Sequence, residues 1–275
     1  MVISVNTNAA ALVALQNLNT TESQLATAQS QVSTGLAVAT AQDNGAIFAI
    51  AQNQRATSSA LTAVTQSLQR VQSTVNVGAT AGTTVSDLLN QLKSITLSAA
   101  DTSTNTTSRE ALNANFVSLI HEIQSVVTNA SFNGINLIDG STTQLAALAS
   151  TDGTSKLTVA AQSLAFGGGN ITFAATTSIT TVTLATNALA AVNSSIVNVN
   201  DALAKLGASQ NALQTQITFT GDLQDTIDTG VGNLVNANLA KESATLTALQ
   251  TKQQLGIQAL SIANASSQSL LSLFR

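Results

Sequence analysis

The sequence predicts a mainly α-helical fold, with long helices toward both chain ends and a small β element in the middle. Three observations support this prediction. The 275 residues contain no proline, so no helix has to break where a backbone donor is missing. Apolar residues near both ends recur at the seven-residue spacing of paired helices. Between residues 156 and 184 the spacing falls to the two-residue period of a strand.

The first helix is predicted by Ala11, Leu18, Leu25 and Val32, which stand seven residues apart. The pattern ends at the Ser-Thr-Gly sequence of residues 33–35, because glycine is typical of a helix end. The Asp-Asn-Gly sequence of residues 43–45 is a second turn signal.

Two more helices are predicted before the middle of the chain. Residues 46–100 carry apolar side chains at spacings of three and four, which is typical of a helix with one buried face. A polar loop follows at residues 101–108, and Ser108 is expected to cap the next helix by accepting a bond from a free backbone N–H. The buried face of that helix is expected to contain Ala111, Leu112, Phe116, Leu119, Ile120, Ile123 and Val127.

The middle of the chain is predicted to turn and then to form strands. The Asn-Gly pair at 133–134 favours a tight turn with positive φ. From Lys156 to Leu184, apolar residues alternate with the β-branched residue threonine. The Gly-Gly-Gly-Asn sequence at 167–170 is expected to be a hairpin turn between these strands.

The helical period returns near Ala185 and continues to the end of the chain. In the last segment, residues 235–275, Leu239, Leu246 and Leu260 share one heptad position. Leu249, Ala263 and Leu270 share a second position. Between residues 243 and 274 the only charged residue is Lys252, so this helix resembles the first one in having almost no charged face.

The missing charged faces favour a role in assembly. Charged residues are 8% of the chain, and a solvated helix normally carries them on its outer side. A helix without such a face is expected to be covered on several sides, and the chain alone has too few core residues to cover both ends. The alternative is a monomeric helical bundle with an unusually neutral surface.

Several other functions are disfavoured by composition. The nine lysines and arginines are scattered, which argues against a nucleic-acid partner. No window is expected to supply the roughly 20 apolar residues of a membrane span. A removable secretory signal is also not expected, because the N-terminus lacks a basic region before an apolar run.

No catalytic or metal site is expected. The single histidine, His121, precedes Glu122, but no second histidine follows four residues later to complete a zinc motif. The three glycines at 167–169 lack the Lys-Ser or Lys-Thr of a phosphate-binding loop. The chain has no cysteine. We therefore expect no enzyme activity, no cofactor and no bound metal.

Nine short motifs lie at both ends and at the start of the middle segment. They are ISVNTN at 3–8, ALQNLN at 14–19, STGL at 33–36, AQDNGA at 41–46, FNG at 132–134, LIDG at 137–140, LGASQN at 206–211, NLAKES at 238–243 and QQLGIQALSIAN at 253–264. Together they resemble bacterial flagellins, in particular those of alphaproteobacteria. Each motif alone is weak, but their number and order make the resemblance specific. Ala212 stands where that family often has arginine, and Asn236 and Asn238 replace acidic residues, so polar contacts between subunits could differ.

The resemblance implies a chain folded back on itself, in which both ends form a long antiparallel helical bundle or coiled coil and a small β-hairpin element lies in the middle. The implied divisions are an N-terminal inner-core helix at 1–33, a connecting spoke at 34–46, the N-terminal part of domain one at 47–140, a short variable β element at 141–184, the C-terminal helix of domain one at 185–232 and a C-terminal inner-core helix at 233–275.

The resemblance also implies a structural subunit of the flagellar filament used for swimming. It would be extracellular and secreted through the flagellar export channel without a cleaved signal peptide. Expected partners are other copies, alone or mixed with sister flagellins, the cap and hook-associated proteins, and an export chaperone at the C-terminal helix. The alternatives are a hook–filament junction protein and a secreted helical adhesin. The expected self-assembly surface contains Leu18, Leu25, Val32, Leu239, Leu246, Leu260, Ala263 and Leu270.

Overall fold

The computed structural model describes the backbone of residues 7–272 and the side chains of residues 7–265. Within this range the fold is mainly α-helical, as predicted. The helices are α1 (Ala9–Thr34), α2 (Ala41–Ala100), α3 (Thr106–Asn129), α4 (Val182–Val235) and α5 (Leu239–Ser272). The strands are β1 (Ser131–Phe132), β2 (Ile135–Asn136), β3 (Gln144–Leu148) and β4 (Lys156–Ala160).

The chain divides into two compact units, which we call the terminal unit and the central unit. The terminal unit contains the described residues up to Ala56 together with those from Thr226 onward. The central unit is Thr57–Asp225. Each unit has its own apolar clusters, and they are described separately below.

Helices α1 and α5 pack against each other in the terminal unit, as the similarity of the two chain ends suggested. The centre of their contact is a small cluster of Leu25, Ala28 and Leu249, with Leu246 packed against it. At the start of α1 the Asn8 side chain accepts a bond from the N–H of Ala11, which satisfies one of the free donors of the first turn.

The turn after α1 follows the sequence signals closely. Gly35 has φ +72° and ends the helix, with its N–H bonded to the carbonyl of Gln31. Leu36 then forms an antiparallel bridge with Asn236, the first residue after α4. A second apolar cluster at this level contains Val38, Ala51, Val231 and Val235.

The Asp-Asn-Gly signal appears as a kink within the limits of α2. Asn44 has extended backbone angles, and its side chain accepts a bond from the N–H of Ile47. One carboxylate oxygen of Asp43 accepts bonds from the N–H groups of Thr40 and Ala39 and from the Thr40 hydroxyl. These hydrogen bonds, with the Thr40 N–H as the main contributor, lower the pKa of Asp43.

The core of the central unit lies between α2, α3, α4 and the strands. It includes Leu68, Leu89, Phe116, Ile120 and Leu206, all of which are fully buried. The expected buried face of α3 is confirmed at Phe116, Ile120, Ile123 and Val127. Leu112 and Leu119 are half-buried, and the expectation was wrong at Ala111, which is exposed.

The expected cap of α3 was wrong. Asn105 caps the helix, and its side chain accepts the N–H of Ser108, so Ser108 is already inside the first turn. Nearby, the buried guanidinium of Arg109 donates to the carbonyl of Ala99 in the last turn of α2 and to those of Asp101 and Thr104 in the loop that follows.

Helices α2 and α4 are joined by four hydrogen bonds between uncharged side chains. The positions run antiparallel in constant register, because residues 62, 72, 76 and 86 of α2 bond to residues 224, 214, 210 and 200 of α4. The pairs are Thr62–Gln224, Gln72–Gln214, Asn76–Gln210 and Ser86–Asn200. We call this set the amide ladder.

The β element differs from its prediction. The five-residue strands are β3 and β4, paired antiparallel from Gln144↔Ala160 to Leu148↔Lys156, and a second, shorter hairpin joins β1 to β2. The predicted turn at residues 133–134 is confirmed, since Asn133 and Gly134 both have positive φ.

Residues 167–170 do not join two strands. Beyond Ala160 the chain forms a single bridge between Phe166 and Ile171. Ile171, Phe173 and Ile179 are each buried as separate anchors in the core. Two backbone N–H groups of this segment donate to side chains and not to a neighbouring strand. The Thr172 N–H donates to Ser195 Oγ, and the Ile179 N–H donates to Asn113 Oδ1.

Helix α4 is the one described helix that is long and apolar enough, by length and composition alone, to cross a membrane. The expectation that no stretch reaches this level was therefore wrong. The apolar composition has a local use, because Val192, Val199, Leu206 and Leu213 of α4 are all buried in the core of the central unit.

Candidate functional site

The two paired helices of the terminal unit form the candidate site. At the start of α1, the Asn8 side chain donates to the carbonyl of Ala263 across 2.8 Å, which joins the first turn of α1 to α5. Farther along, Gly256 of α5 lies against Leu18 of α1. Because glycine has no Cβ, the two helices approach closely here.

A shallow groove of about 640 Å³ follows this contact on one side of the helix pair. Small and apolar side chains predominate among the lining residues, and Lys252 is their single charge. The lining includes Val13, Ala14, Leu18, Leu255, Gly256 and Ala259.

Large apolar side chains also point away from the pair. On α1, Leu12 is 61% exposed, and on α5, Ile262 is 71% exposed. With α-helical geometry of 100° per residue, these side chains lie on several sides of each helix that do not face its partner. The exposed large apolar side chains on the two helices are Leu12, Val13 and Leu15 on α1 and Leu239, Leu255, Ile257 and Ile262 on α5. Such all-round apolar helices are typical of helices buried in a larger structure.

The pair is nearly free of charge. In the described part of α1 the only charged side chain is Glu22, and α5 contributes Lys241, Glu242 and Lys252. A neutral apolar surface of this kind costs little desolvation when it is covered, because no ionised group has to leave water.

The predicted assembly residues occupy mixed positions. Leu25 is buried in the contact between α1 and α5, whereas Leu18, Val32, Leu246, Leu260 and Ala263 are half-buried. Leu239 is about half exposed, at 49%. Leu270 lies outside the side chains that the structure describes, as do the motif residues 3–6. Of the predicted residues, Leu25 and Leu246 pack in the apolar cluster between the two helices of one chain.

The outward-facing residues were missed by the sequence analysis. Leu12, Leu15, Ile257 and Ile262 lie between the heptad positions, where a soluble coiled coil would have polar side chains. That departure was the signal that could have identified them.

The titratable side chains in the described part of the chain form no candidate metal site. His121 and Glu122 are exposed neighbours on α3. Among the residues described, no group of three or more His, Cys, Asp and Glu side chains could hold a metal ion.

Comparison with known proteins gives a consistent result. The model of the bacterial flagellin N-terminal helical region matches residues 5–143, and that of the bacterial flagellin C-terminal helical region matches residues 189–274. Flagellin FljK of Caulobacter vibrioides is 52% identical over 272 residues, with 99% of this chain and 98% of that protein covered. A flagellin of Brucella melitensis is 35% identical over 281 residues, with 99% of each covered. A crystal structure of Bacillus cereus flagellin is similar over 56% of this chain and 88% of that chain, with a TM-score of 0.49 and 20% identity.

Proposed function

The chain belongs to the bacterial flagellin family and is a structural subunit of the extracellular flagellar filament, not an enzyme, and we propose that the outward faces of α1 and α5 are the surfaces through which its copies join. Its resemblance to alphaproteobacterial flagellins is confirmed by the relatives from Caulobacter and Brucella. A hook–filament junction protein and a secreted adhesin are not favoured, since these relatives, named flagellins, match over nearly their whole length.

One observation carries the proposal: large apolar side chains lie exposed on the terminal helices where a monomer would need polar ones. Leu12 and Val13 on α1, and Leu255 and Ile262 on α5, are all more than half exposed. Burying a leucine or isoleucine of this kind contributes about 1.5–3 kcal/mol. Several such side chains per copy would favour a polymer strongly over separate chains.

The residues of the self-assembly surface expected from the sequence fit this proposal in two roles. Leu25 and Leu246 hold α1 and α5 together within one chain, which gives the outward faces their shape. Leu18, Val32, Leu239, Leu260 and Ala263 are partly or largely accessible and would be covered further by a second copy. The role of Leu270 stays a prediction.

The domain limits expected from the sequence also stay predictions. The compact units divide between residues 56 and 57 and between residues 225 and 226. The expected limits of the connecting spoke, residues 34–46, enclose the turn formed by Gly35, the bridge at Leu36 and the Asp43 carboxylate.

The apolar surface of α5 supports a further part of the proposal. Before assembly, Leu255, Ile257 and Ile262 would need cover, and an export chaperone bound at the C-terminal helix would provide it. We also propose that the chain is exported through the flagellar channel without a cleaved signal. It would then contact the cap and hook-associated proteins. Copurification tests the proposed binding of the chaperone. The chaperone should copurify with the full-length chain and should no longer do so after removal of residues 239–275.

The main test is seeded polymerisation. Purified monomer is mixed with short filament fragments, and the product is imaged by negative-stain electron microscopy. We expect long tubes from the full chain and none from a chain that lacks residues 1–34 and 239–275. To separate loss of contacts from loss of folding, Ile262→Ser and Leu12→Ser replace two exposed side chains and are expected to slow elongation about tenfold or more. A wild-type chain that stays monomeric on good seeds would contradict the proposal.

A further inference from the structure

The central unit carries an exposed aromatic side chain on α4. Phe219 is 58% exposed and is the most exposed phenylalanine among those whose side chains are described, while Phe116 and Phe173 are buried. Leu223 lies one turn later and is also exposed, so the two side chains form an apolar ridge. We call it the Phe219 ridge. Aromatic side chains contribute 150–250 Å² each when buried, so an exposed one suggests a surface that is covered in the working state.

The Phe219 ridge faces away from the helix that α4 pairs with. Gln214 bonds to Gln72 of α2 and so marks the side of α4 that faces α2. Phe219 is five residues later, and at 100° per residue it lies about 140° around the helix from Gln214. The inward positions at this level are occupied by the buried Leu213 and Thr220. The ridge is therefore a second apolar side of α4, separate from the one in the core.

A pocket of about 180 Å³ lies elsewhere on the same unit, beside α2 and the two hairpins. Its apolar lining includes Val71, Phe132, Ile135, Leu145 and Ala146. A dry cavity of about 150 Å³ is known to hold a benzene molecule, so the pocket has room for one phenyl ring.

The pocket and the ridge lie on different flanks of the unit. Arg70, at the edge of the pocket, is two residues before Gln72, which faces α4. At 100° per residue Arg70 lies about 160° around α2 from Gln72 and so faces away from α4. Since the ridge likewise faces away from α2, one chain cannot place its own Phe219 in its own pocket. Only a second copy can supply the ring.

Charge is complementary between the two surfaces. Asp222 is exposed beside the ridge, and α4 has no Lys or Arg from residue 206 to residue 235. Arg70, in contrast, is an exposed cation at the edge of the pocket. Opposite charges at the rim of a contact favour the correct pairing and its rate of formation.

We propose that in the filament the Phe219 ridge of one copy inserts into the pocket beside Arg70 and Ala146 of a neighbouring copy. The inference rests on the self-assembly of this family and adds a contact outside the terminal helices. A ridge and a pocket at different places on one chain form a heterologous contact, which continues from copy to copy in an open polymer instead of closing a pair.

The first experiment measures the critical concentration for elongation from wild-type seeds. Phe219→Ala is expected to raise it about tenfold or more, as for a central aromatic anchor. The matched control is Val197→Ala, which truncates a similarly exposed residue on α4 that lies on neither surface. Circular dichroism of the monomers checks that both variants fold. An unchanged critical concentration for Phe219→Ala would overturn the proposal.

The second experiment tests proximity and keeps Phe219 in place. The chain has no cysteine, so each introduced thiol is unique. Leu223→Cys and Ala146→Cys chains are copolymerised and treated with a short thiol-specific crosslinker. We expect dimers in the mixed filaments and none in filaments of either variant alone, nor in a mixture of Val197→Cys with Ala146→Cys. Filaments that form normally but give no crosslink between Leu223→Cys and Ala146→Cys contradict the ridge-and-pocket contact alone. Failure of the wild-type chain to polymerise contradicts the proposed function instead.

Discussion

A Cβ atom on Gly256 of α5 would lie 3.3 Å from Cδ1 of Leu18 on α1. That distance is shorter than an ordinary carbon–carbon contact of about 3.5–4.0 Å, so a methyl group here would require the Leu18 side chain to shift by a few tenths of an ångström. Gly256 interrupts the apolar heptad pattern of the last segment. The interruption has a structural reason, since a larger residue at that position would press against the Leu18 side chain.

Replacing Gly256 with valine is therefore expected to weaken the terminal unit. Valine adds helix propensity of roughly 0.5 kcal/mol, but overpacking of the contact with Leu18 costs about 1–3 kcal/mol, so the net effect is destabilising. The measurement is the temperature at which assembled filaments dissociate. In the Gly256→Val background, Leu18→Ala should restore part of the loss by making space. Gly207→Ala is the control, because no atom lies within 4 Å of its added Cβ. Equal dissociation temperatures for wild type and Gly256→Val would remove any energetic role for the close approach.

A charge within the α1–α5 contact is expected to abolish assembly. Leu25 is 8% exposed and packs with Ala28 and Leu249, so Leu25→Asp would place a carboxylate among apolar groups that cannot hydrogen-bond to it. The expected cost exceeds about 3 kcal/mol, and seeded elongation should fall below detection. Ser30→Asp, on the exposed side of the same helix, serves as the matched control and should elongate near the wild-type rate. Normal filaments from Leu25→Asp would show that α1 and α5 do not need this contact.

The acid stability of the terminal unit is expected to depend on Asp43. Hydrogen bonds from Thr40 and Ala39 lower its pKa below the ordinary value of 3.8. A carboxyl group with a lowered folded-state pKa adds stability at pH values above the unfolded pKa, and that stability is lost as the pH falls through the folded pKa. The window is therefore at and below about pH 4.

Asp43→Asn should reduce this pH dependence, because the amide still accepts hydrogen bonds but does not titrate. Urea unfolding midpoints measured from pH 6 down to pH 3 should fall less steeply for Asp43→Asn than for the wild type. Glu22→Gln provides a comparison at an exposed carboxyl group on α1. Parallel curves for Asp43→Asn and wild type would mean that the hydrogen bonds of Asp43 do not contribute to stability.

Sequence periodicity predicted most of the helical fold, because α2, α3 and α4 each have a buried stripe that the apolar spacing records. It failed where several residues could perform the same local task. Asn105 and Ser108 are both residue types that cap helices well. Which of them caps α3 depends on the conformation of the preceding loop, and the buried guanidinium of Arg109 holds that loop. Alternating residues near Ile171 and Ile179 looked like strands, but their backbone donors bond to Ser195 and Asn113. Such partners, distant in sequence, are invisible to a local pattern.

The candidate site was predictable only in part for a related reason. Heptad positions such as Leu25 and Leu246 pack in the contact between two helices of one chain, and their role in assembly stays a prediction. Leu12 and Ile262 face outward, and their importance depends on a second copy, which no periodicity within one chain describes. The absence of charge on those faces was the available evidence, and it indicated assembly without indicating the residues.

The amide ladder between α2 and α4 is expected to make the pairing of these helices insensitive to salt. Its four hydrogen bonds join uncharged side chains, and ionic screening acts on charged pairs only. The test replaces the bond of 3.0 Å between Gln72 and Gln214 with a charged pair, made by the substitutions Gln72→Glu and Gln214→Lys. The free energy of unfolding of the wild type, the two single variants and the double variant is measured at roughly 0.05 M and 1 M salt.

The double-mutant cycle isolates the interaction from other salt effects. The coupling between the substitutions Gln72→Glu and Gln214→Lys should be about 0.5 kcal/mol at low salt and should decrease at 1 M. A cycle that replaces both glutamines with alanine should give a coupling for the native pair of similar size, unchanged by salt. A native coupling that decreases with salt would show that nearby charges, not the amide bond, set the register. No coupling at either salt concentration would show that the apolar core alone aligns α2 with α4.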